Sequence, residues 1–297
     1  PPGDVDSLLR RADTALYRAK KSGRGQTVFF ERELATESRK RLHYAGELRR
    51  GIERREIRPF YQPVVDLATG RVVAVEALAR WHHPVDGFIP PDVFIPAAEA
   101  TGLIAELGRQ ILEQSCHDAT MWADAGRPLQ IAVNASAVQL MDTTFPAQVA
   151  AALAGSGLPP EQLTFEITET AAMREMTVVL ETLGRLRGIG CDLSLDDFGT
   201  GYSSLSLLKR LPVQALKIDR SFVMGLGRSD DDERIVTGVV SLALVLGFRV
   251  VAEGVETSAQ MNALRSLGCQ LGQGYLWSPA VPAHDLLATI AGIERFA

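Results

Sequence analysis

The chain has 297 residues, 46 % hydrophobic and 23 % charged, with a formal net charge of −5 and an isoelectric point near 5.6. That length holds one closed α/β barrel of about 250 residues plus an attached segment, and the composition excludes a disordered chain. The acidic balance supplies no basic field for long DNA or RNA, so a nucleotide ligand needs a local, neutralised pocket.

Asp4 to Gly25 carries Leu8, Leu9, Ala12, Leu16 and Ala19 at helical spacing, ended by Ser22-Gly23, and a short strand from Thr27 to Phe30 follows. Glu31 to Glu56 is dense in charge, which predicts a solvated connecting helix over 31–56 between a small segment, 1–30, and a main domain, 57–297. From Ile57 onward, strand-like and helical runs alternate, predicting parallel strands joined by crossover helices. The strands are Pro59 to Val65, Val72 to Glu76, Ile131 to Asn134, Leu163 to Ile167, Cys191 to Asp196, Ala215 to Ile218, Arg249 to Glu253 and Gln270 to Tyr275. Eight such strands predict a TIM-like (β/α)8 barrel with an N-terminal helical extension. Met176, Val179, Leu180, Leu183 and Leu186 form one apolar helix face, which Gly188 and Gly190 end.

Seven of the strands carry a polar residue at or within two residues of their end: Glu76, Asn134, Glu166, Asp196, Lys217, Glu253 and Gln273. The strand period of two places each on the face of a residue two earlier, mostly small: Ala74, Ala132, Thr164, Ser194 and Ala215. Bulkier Val75, Val133, Phe165, Leu195 and Leu216 then face the helices. The polar ends point inward at the carboxy-terminal mouth, where α/β barrels carry their active sites. One such residue alone reads as a solvated loop edge; seven in register do not. With Asp197 the mouth holds five carboxylates against one lysine, a cluster that raises its own pKa values unless cations bind. Oxygen-rich ligation selects Mg²⁺ or Mn²⁺ over zinc, and two ions can share Asp196.

Longer motifs sit on the same positions. Val75-Glu76-Ala77-Leu78-Ala79-Arg80-Trp81, then His83-Pro84 and Phe94-Ile95-Pro96-Ala97-Ala98-Glu99, resembles the signature of EAL-domain cyclic di-GMP phosphodiesterases. The likeness continues through Val133-Asn134-Ala135-Ser136, Glu166-Ile167-Thr168-Glu169, Asp196-Asp197-Phe198-Gly199-Thr200-Gly201-Tyr202-Ser203-Ser204, Lys217-Ile218-Asp219, Glu253-Gly254-Val255-Glu256 and Gln273-Gly274-Tyr275. The resemblance implies that Glu76, Asn134, Glu166 and Asp196 ligate one metal, with Asp196, Asp197 and Glu253 serving a second. It implies catalytic roles for Glu76, Lys217, which orients the attacking water, and Glu253. Gln62, Leu78, Arg80 and Gln273 would bind the dinucleotide, Gln273 also supporting the metal cluster. Glu169 and Glu256 would brace the loop from Asp197 to Ser204. The implied chemistry is two-metal hydrolysis of cyclic di-GMP to linear pGpG, inhibited by Ca²⁺, which prefers longer bonds and more ligands.

After the last strand, Trp277-Ser278-Pro279-Ala280 departs from the family's usual basic residue followed by proline. Leu8 to Lys20 with Gly23-Arg24-Gly25 resembles the last helix of a diguanylate cyclase (GGDEF) domain whose catalytic part is absent, so no cyclase activity is expected. The chain opens Pro1-Pro2-Gly3 without an initiator Met or signal pattern and is read as a piece of a longer parent with upstream cyclase-like and sensory domains. Cys116, Cys191 and Cys269 are odd in number and far apart, as packing thiols in a reducing cytoplasm are, and the apolar run Val239 to Phe248 is too short to span a bilayer. Tethering of the parent to a membrane stays open. Leu205, Leu207, Leu208 and Leu211 exceed one barrel-facing stripe, which together with the resemblance predicts a homodimer through the helices after Asp196-Asp197 and Lys217. His82 and His83 beside Pro84 are read as turn and rim packing, and Trp81 and Tyr275 either as core packing or as faces that stack on a guanine. The competing function is a non-catalytic cyclic di-GMP receptor; a hydrolase of another phosphodiester is a third.

Overall fold

The computed structural model describes residues 44–173, 175–199, 208–227 and 229–295. The expected N-terminal helix, the strand after it and most of the connecting helix fall outside these residues. The chain divides into two compact units, Pro1–Ile57 with Trp81–Leu103, and Arg58–Arg80 with Ile104–Ala297.

The larger unit is built on strands β1 (Ile57–Asp66), β2 (Val72–His83), β4 (Gln130–Asn134), β5 (Leu163–Thr168), β6 (Asp192–Phe198), β7 (Ala215–Ile218), β8 (Arg249–Ala252) and β9 (Leu271–Gln273). Their order is β1-β9-β8-β7-β6-β5-β4-β2, and β1 also pairs with β2, so the eight close into a barrel. Every pair from β2–β4 round to β8–β9 is parallel. β1 is the exception, running antiparallel to β9. The cause is the short link to β2: the Asp66 carboxylate accepts from the N–H groups of Ala68 and Thr69 and from Thr69 Oγ1, and Gly70 (φ 70°) returns its N–H to the Asp66 carbonyl. A turn this tight makes a hairpin, whereas a parallel crossover needs about a dozen residues.

Around the barrel lie α2 (Ile104–Asp124), α3 (Ala137–Leu140), α4 (Phe145–Ser156), α5 (Glu169–Ala172), α6 (Met176–Ile189), α7 (Arg220–Gly225), α8 (Asp230–Val245), α9 (Ser258–Ser266) and α10 (Ala283–Glu294). In α6, Val179, Leu183 and Leu186 are buried as the spacing predicts, and Gly190 at φ 111° ends the helix in the left-handed region, giving its N–H to Leu186 and Arg187. The bulky strand residues Val75, Val133, Phe165, Leu195 and Leu216 are buried, and so are the three cysteines, all free. Tyr61 on β1 donates to Asp118 of α2 at 2.6 Å, holding the reversed strand to its first covering helix. No helix among the described residues is long and apolar enough to cross a membrane.

The smaller unit contains helical residues 44–53, the end of β2 from Trp81, strand β3 (Gly87–Ile89) and α1 (Pro91–Thr101). Here the strand predicted to stop at Glu76 continues to His83, because β3 pairs antiparallel with Trp81, His82 and His83, while the His82 N–H donates to the Glu56 carbonyl at 3.1 Å. Trp81 is the hub: fully buried, edge-on to Tyr44, His83 and Phe94, it donates Nε1–H to Glu56 at 3.1 Å. A methyl group at Gly51 would come within 2.9 Å of its ring, so that helical position must lack a side chain. Trp81 is therefore a core residue. His83 Nδ1 accepts from the backbone N–H groups of Val85 and Asp86, the turn role expected of it.

Candidate active site

The polar strand ends converge on one buried cation. Lys217, at the third position of β7, is 1 % exposed, and its Nζ lies 2.6 Å from Glu253, 2.7 Å from Glu166, 3.2 Å from Glu76 and 3.8 Å from Asp196. Lys217 and Glu253 are adjacent because Glu253, just past β8, gives its N–H to Ile218. Glu76 is pinned on both oxygens: Asn134 Nδ2 donates to Oε1 at 2.9 Å, and Gln273 Nε2 donates to Oε2 at 2.7 Å. Gln273 also donates to Gln62 Oε1 at 2.9 Å, and Gln62 Nε2 donates to the Ser278 carbonyl at 3.0 Å.

Asp196 and Asp197 show how two successive strand residues serve one site. Strict alternation would turn Asp197 away, but the β6–β7 register shifts between Leu195 and Phe198, and Asp197 sits at φ 56°, in the left-handed region. Its N–H donates to Asp196 Oδ1 at 2.8 Å, so the bulge and the carboxylate hold each other.

Four carboxylates around one buried ammonium leave excess negative charge in the cluster. Burial pushes Glu166 well up, and neighbouring Glu76 and Asp196 add to it; Asp196 is raised by burial and by Glu76. Burial and the nearby carboxylates push Glu253 up to about 8, and burial with Asp196 and Asp219 pushes Asp197 up to about 6. Burial works on Glu76 too, but Lys217 and the amides of Gln273 and Asn134 outweigh it and hold it low. Burial pulls Lys217 down, and Glu166, Glu253, Glu76 and Asp196 overcome that and keep it charged.

No group of three or more His, Cys, Asp or Glu side chains among the described residues is disposed as a ready metal cage, the carboxylates being turned onto Lys217 instead. The donor chemistry nonetheless fits a hard divalent ion: carboxylate and carboxamide oxygens only, already converged on a positive charge, and with charge to spare.

The model of the EAL domain matches residues 45–280. The chain belongs to the EAL domain family. MucR of Pseudomonas aeruginosa, a bifunctional diguanylate cyclase/cyclic di-GMP phosphodiesterase, is 43 % identical over 294 residues, 98 % of this chain and 43 % of MucR. NbdA of the same species, a cyclic di-GMP phosphodiesterase, is 41 % identical over 292 residues, 98 % of this chain and 36 % of NbdA. The chain thus spans less than half the length of these curated relatives. The solved PaMucR phosphodiesterase complex with c-di-GMP has a TM-score of 0.79 at 44 % identity, over 83 % of this chain and 99 % of that one.

Within the EAL barrel, the structure brings together Glu76, Asn134, Glu166, Asp196, Lys217, Glu253, Gln273 and Gln62. Arg80, half-buried, is held below its usual value by burial despite the charge of Glu76; Leu78 beside it is half-buried. Tyr275 is 72 % exposed, unlike Trp81. Glu169 is buried at the start of α5, and neither carboxylate oxygen finds a hydrogen-bond partner among the described residues. Glu256 is exposed, and its N–H donates to Gln260. The loop these two were expected to brace lies mostly outside the described residues, as do Leu205 and Leu207. Leu208 and Leu211 are buried, packing inside the chain. Sequence reasoning missed Asp219, which caps α7 through Ser221 and acts on Asp196 and Asp197, and the Ser278 carbonyl. The acidic residue two after Lys217 was a readable signal for the first; a backbone carbonyl leaves none.

Proposed function

We propose that this EAL barrel hydrolyses cyclic di-GMP to linear pGpG with Mg²⁺ or Mn²⁺. The observation that carries the reading is the convergence of Glu76, Glu166, Asp196 and Glu253 on Lys217 at the carboxy-terminal ends of the strands. Glu76, Asn134, Glu166 and Asp196 would hold one ion, and Asp196, Asp197 and Glu253 a second. Bound there, the ions supply Lewis-acid charge to the phosphoryl oxygens and acidify water. Lys217 would orient the attacking water and Glu253 would receive its proton; hydroxyl would add to phosphorus as one ester P–O bond breaks, and Glu253 would pass that proton to the departing ribose oxygen. Gln62, Leu78, Arg80 and Gln273 line the dinucleotide side, where exposed Tyr275 offers a face for a guanine. Glu169 and Glu256 brace the loop from Asp197 to Ser204.

On the same footing, residues 1–30 are the end of a GGDEF-like domain, 31–56 a connecting helix and 57–297 the phosphodiesterase region of a longer parent with sensory input. A cytoplasmic location agrees with three free, buried thiols. A homodimer would use the helices after Asp196-Asp197 and after Lys217, the first of which lies mostly outside the described residues. The deciding experiment is incubation with cyclic di-GMP and Mg²⁺ or Mn²⁺, followed by chromatography for pGpG. Tight binding without pGpG would overturn the enzyme reading in favour of a receptor.

A further inference from the structure

The loop after β8, which opens with Glu253, is clamped between its two neighbours, and a glutamine on α9 completes the clamp. On the β7 side, Glu253 N–H donates to the Ile218 carbonyl at 3.1 Å. Gly254 (φ 67°) lies so close to α7 that a side chain there would come within 2.5 Å of the Arg220 side chain and 3.3 Å of its backbone. On the β9 side, Val255 N–H donates to the Gln273 carbonyl at 3.0 Å and Leu276 N–H to the Val255 carbonyl at 2.9 Å, an approach that a side chain at Gly274 would block. The next two residues, Glu256 and Thr257, turn both their N–H groups to a single acceptor, Gln260 Oε1, at 2.9 and 3.0 Å.

Local sequence accounts for half of this. Thr257-Ser258-Ala259-Gln260 is a capping box at the start of α9: Thr257 Oγ1 accepts from the Gln260 N–H at 3.2 Å, and the Gln260 carboxamide oxygen accepts from the Thr257 N–H. A cap needs only an acceptor at that position, and glutamate would serve as well. Gln260 also has an amide nitrogen, and that group leaves its own helix: Nε2 donates to the Val223 carbonyl of α7 at 3.2 Å, in a buried contact. These partners are all backbone groups, so the direction of the carboxamide is fixed; reversed, it would set its oxygen against a carbonyl and its NH₂ against two N–H groups. The contact closes a ring. α7 is capped by Asp219, two residues after Lys217; Gln260 joins that helix to the loop that begins with Glu253, and Glu253 meets Lys217 at 2.6 Å.

We propose that Gln260 is a positioning residue: its link to the Val223 carbonyl holds the loop after β8 so that Glu253 stands against Lys217. This rests on the reading of Glu253 as a group that serves metal and water. The test is Gln260→Glu, whose carboxylate still accepts from both N–H groups, is kept ionised by them, and cannot donate to Val223. Hydrogen exchange of metal-free protein needs neither ion nor substrate: the amides of Glu253 and Val255 should exchange about 10-fold faster in the variant, the scale of one lost hydrogen bond, while the later turns of α9 keep their protection. Unchanged exchange at Glu253 and Val255 overturns the link. Titration with Mn²⁺ alone should show affinity about 10-fold weaker in Gln260→Glu, the scale of a lost outer-shell partner. In a Glu253→Gln background the same substitution should cost nothing further; an equal loss in both backgrounds means that Gln260 serves the fold at large and overturns the proposal. Turnover of cyclic di-GMP by Gln260→Glu should fall in kcat with KM unchanged, and a parental kcat overturns the positioning role. Should Gln260→Glu not fold, isosteric Gln260→Met, which also cannot donate, replaces it throughout. A parent that neither binds Mn²⁺ nor forms pGpG would refute the proposed function, while hydrogen exchange would still decide whether Gln260 holds the loop.

Discussion

Replacing Lys217 by Met tests whether the ammonium is what allows four acids to share the barrel mouth. The side chains involved are 1 % exposed for Lys217, 7 % for Glu76, 6 % for Glu166, 12 % for Asp196 and 20 % for Glu253. Methionine fills the stem's volume but removes the charge that two carboxylates approach within 2.7 Å. Breaking a buried ion pair from one side costs about 3–5 kcal/mol, because the surviving charge is left without compensation. At about 2–4 °C per kcal/mol for a domain of this size, Tm in EDTA should fall by about 6–20 °C. Saturating Mg²⁺ should recover part of that loss in the variant, since an ion that binds only the folded state stabilises it by mass action. Circular dichroism melts of parent and Lys217→Met, each with EDTA and with Mg²⁺, measure both effects. An unchanged Tm in EDTA would refute the reasoning, for it would mean that the cluster balances its charge without Lys217.

Glu76→Ala should fold normally and lose turnover by more than the ~10–100-fold typical of outer-shell partners, because it deletes an anionic ligand; parental rates in saturating Mg²⁺, followed by pGpG chromatography, would remove Glu76 from the site. Ca²⁺ should compete with Mg²⁺ and inhibit, being larger and needing more ligands; full activity with Ca²⁺ as sole divalent ion is the contrary result. The thiols should be silent to a disulfide reagent at pH 8 until unfolding, since burial pushes Cys116 and Cys269 up to about 12 and Cys191 up to about 11. In the unfolded chain a thiol titrates near ~8.5, so the unfolded state loses protons first and stability should fall as pH rises from 8 to 10. A urea midpoint that holds or rises across that range would contradict the assignment.

The barrel and its mouth were legible because both rest on short-range rules. Inward strand ends follow from the period of two, and α6 with its Gly190 cap follows from helical spacing. Two features escaped those rules. The reversal of β1 is decided by the Asp66 to Gly70 turn, a local aspartate and glycine signal that the repeating parallel pattern of the later strands masks. The extension of β2 to His83 depends on β3 arriving as a partner, and a three-residue strand has too little periodicity to announce itself. At the site, the residues could be named but not their mutual arrangement: nothing in the sequence says that Gln62 touches Gln273 and Ser278, 211 and 216 positions away.

The arrangement also shows why the cluster invites cations. The fold supplies donors to its acids by three routes: the Lys217 ammonium, the carboxamides of Asn134 and Gln273, and the Asp197 N–H that the left-handed bulge turns onto Asp196. Only the first carries charge. The amides and the bulge fix where the oxygens stand, while burial, and after it the neighbouring carboxylates, push Glu166, Asp196, Asp197 and Glu253 upward; on Glu76, Lys217 and the two amides outweigh burial. A second lysine would reduce that excess and weaken the attraction for a divalent ion. On the proposed reading, geometry held by neutral donors together with uncompensated charge would preorganise the site, and the repulsion within the cluster would become affinity for a divalent cation.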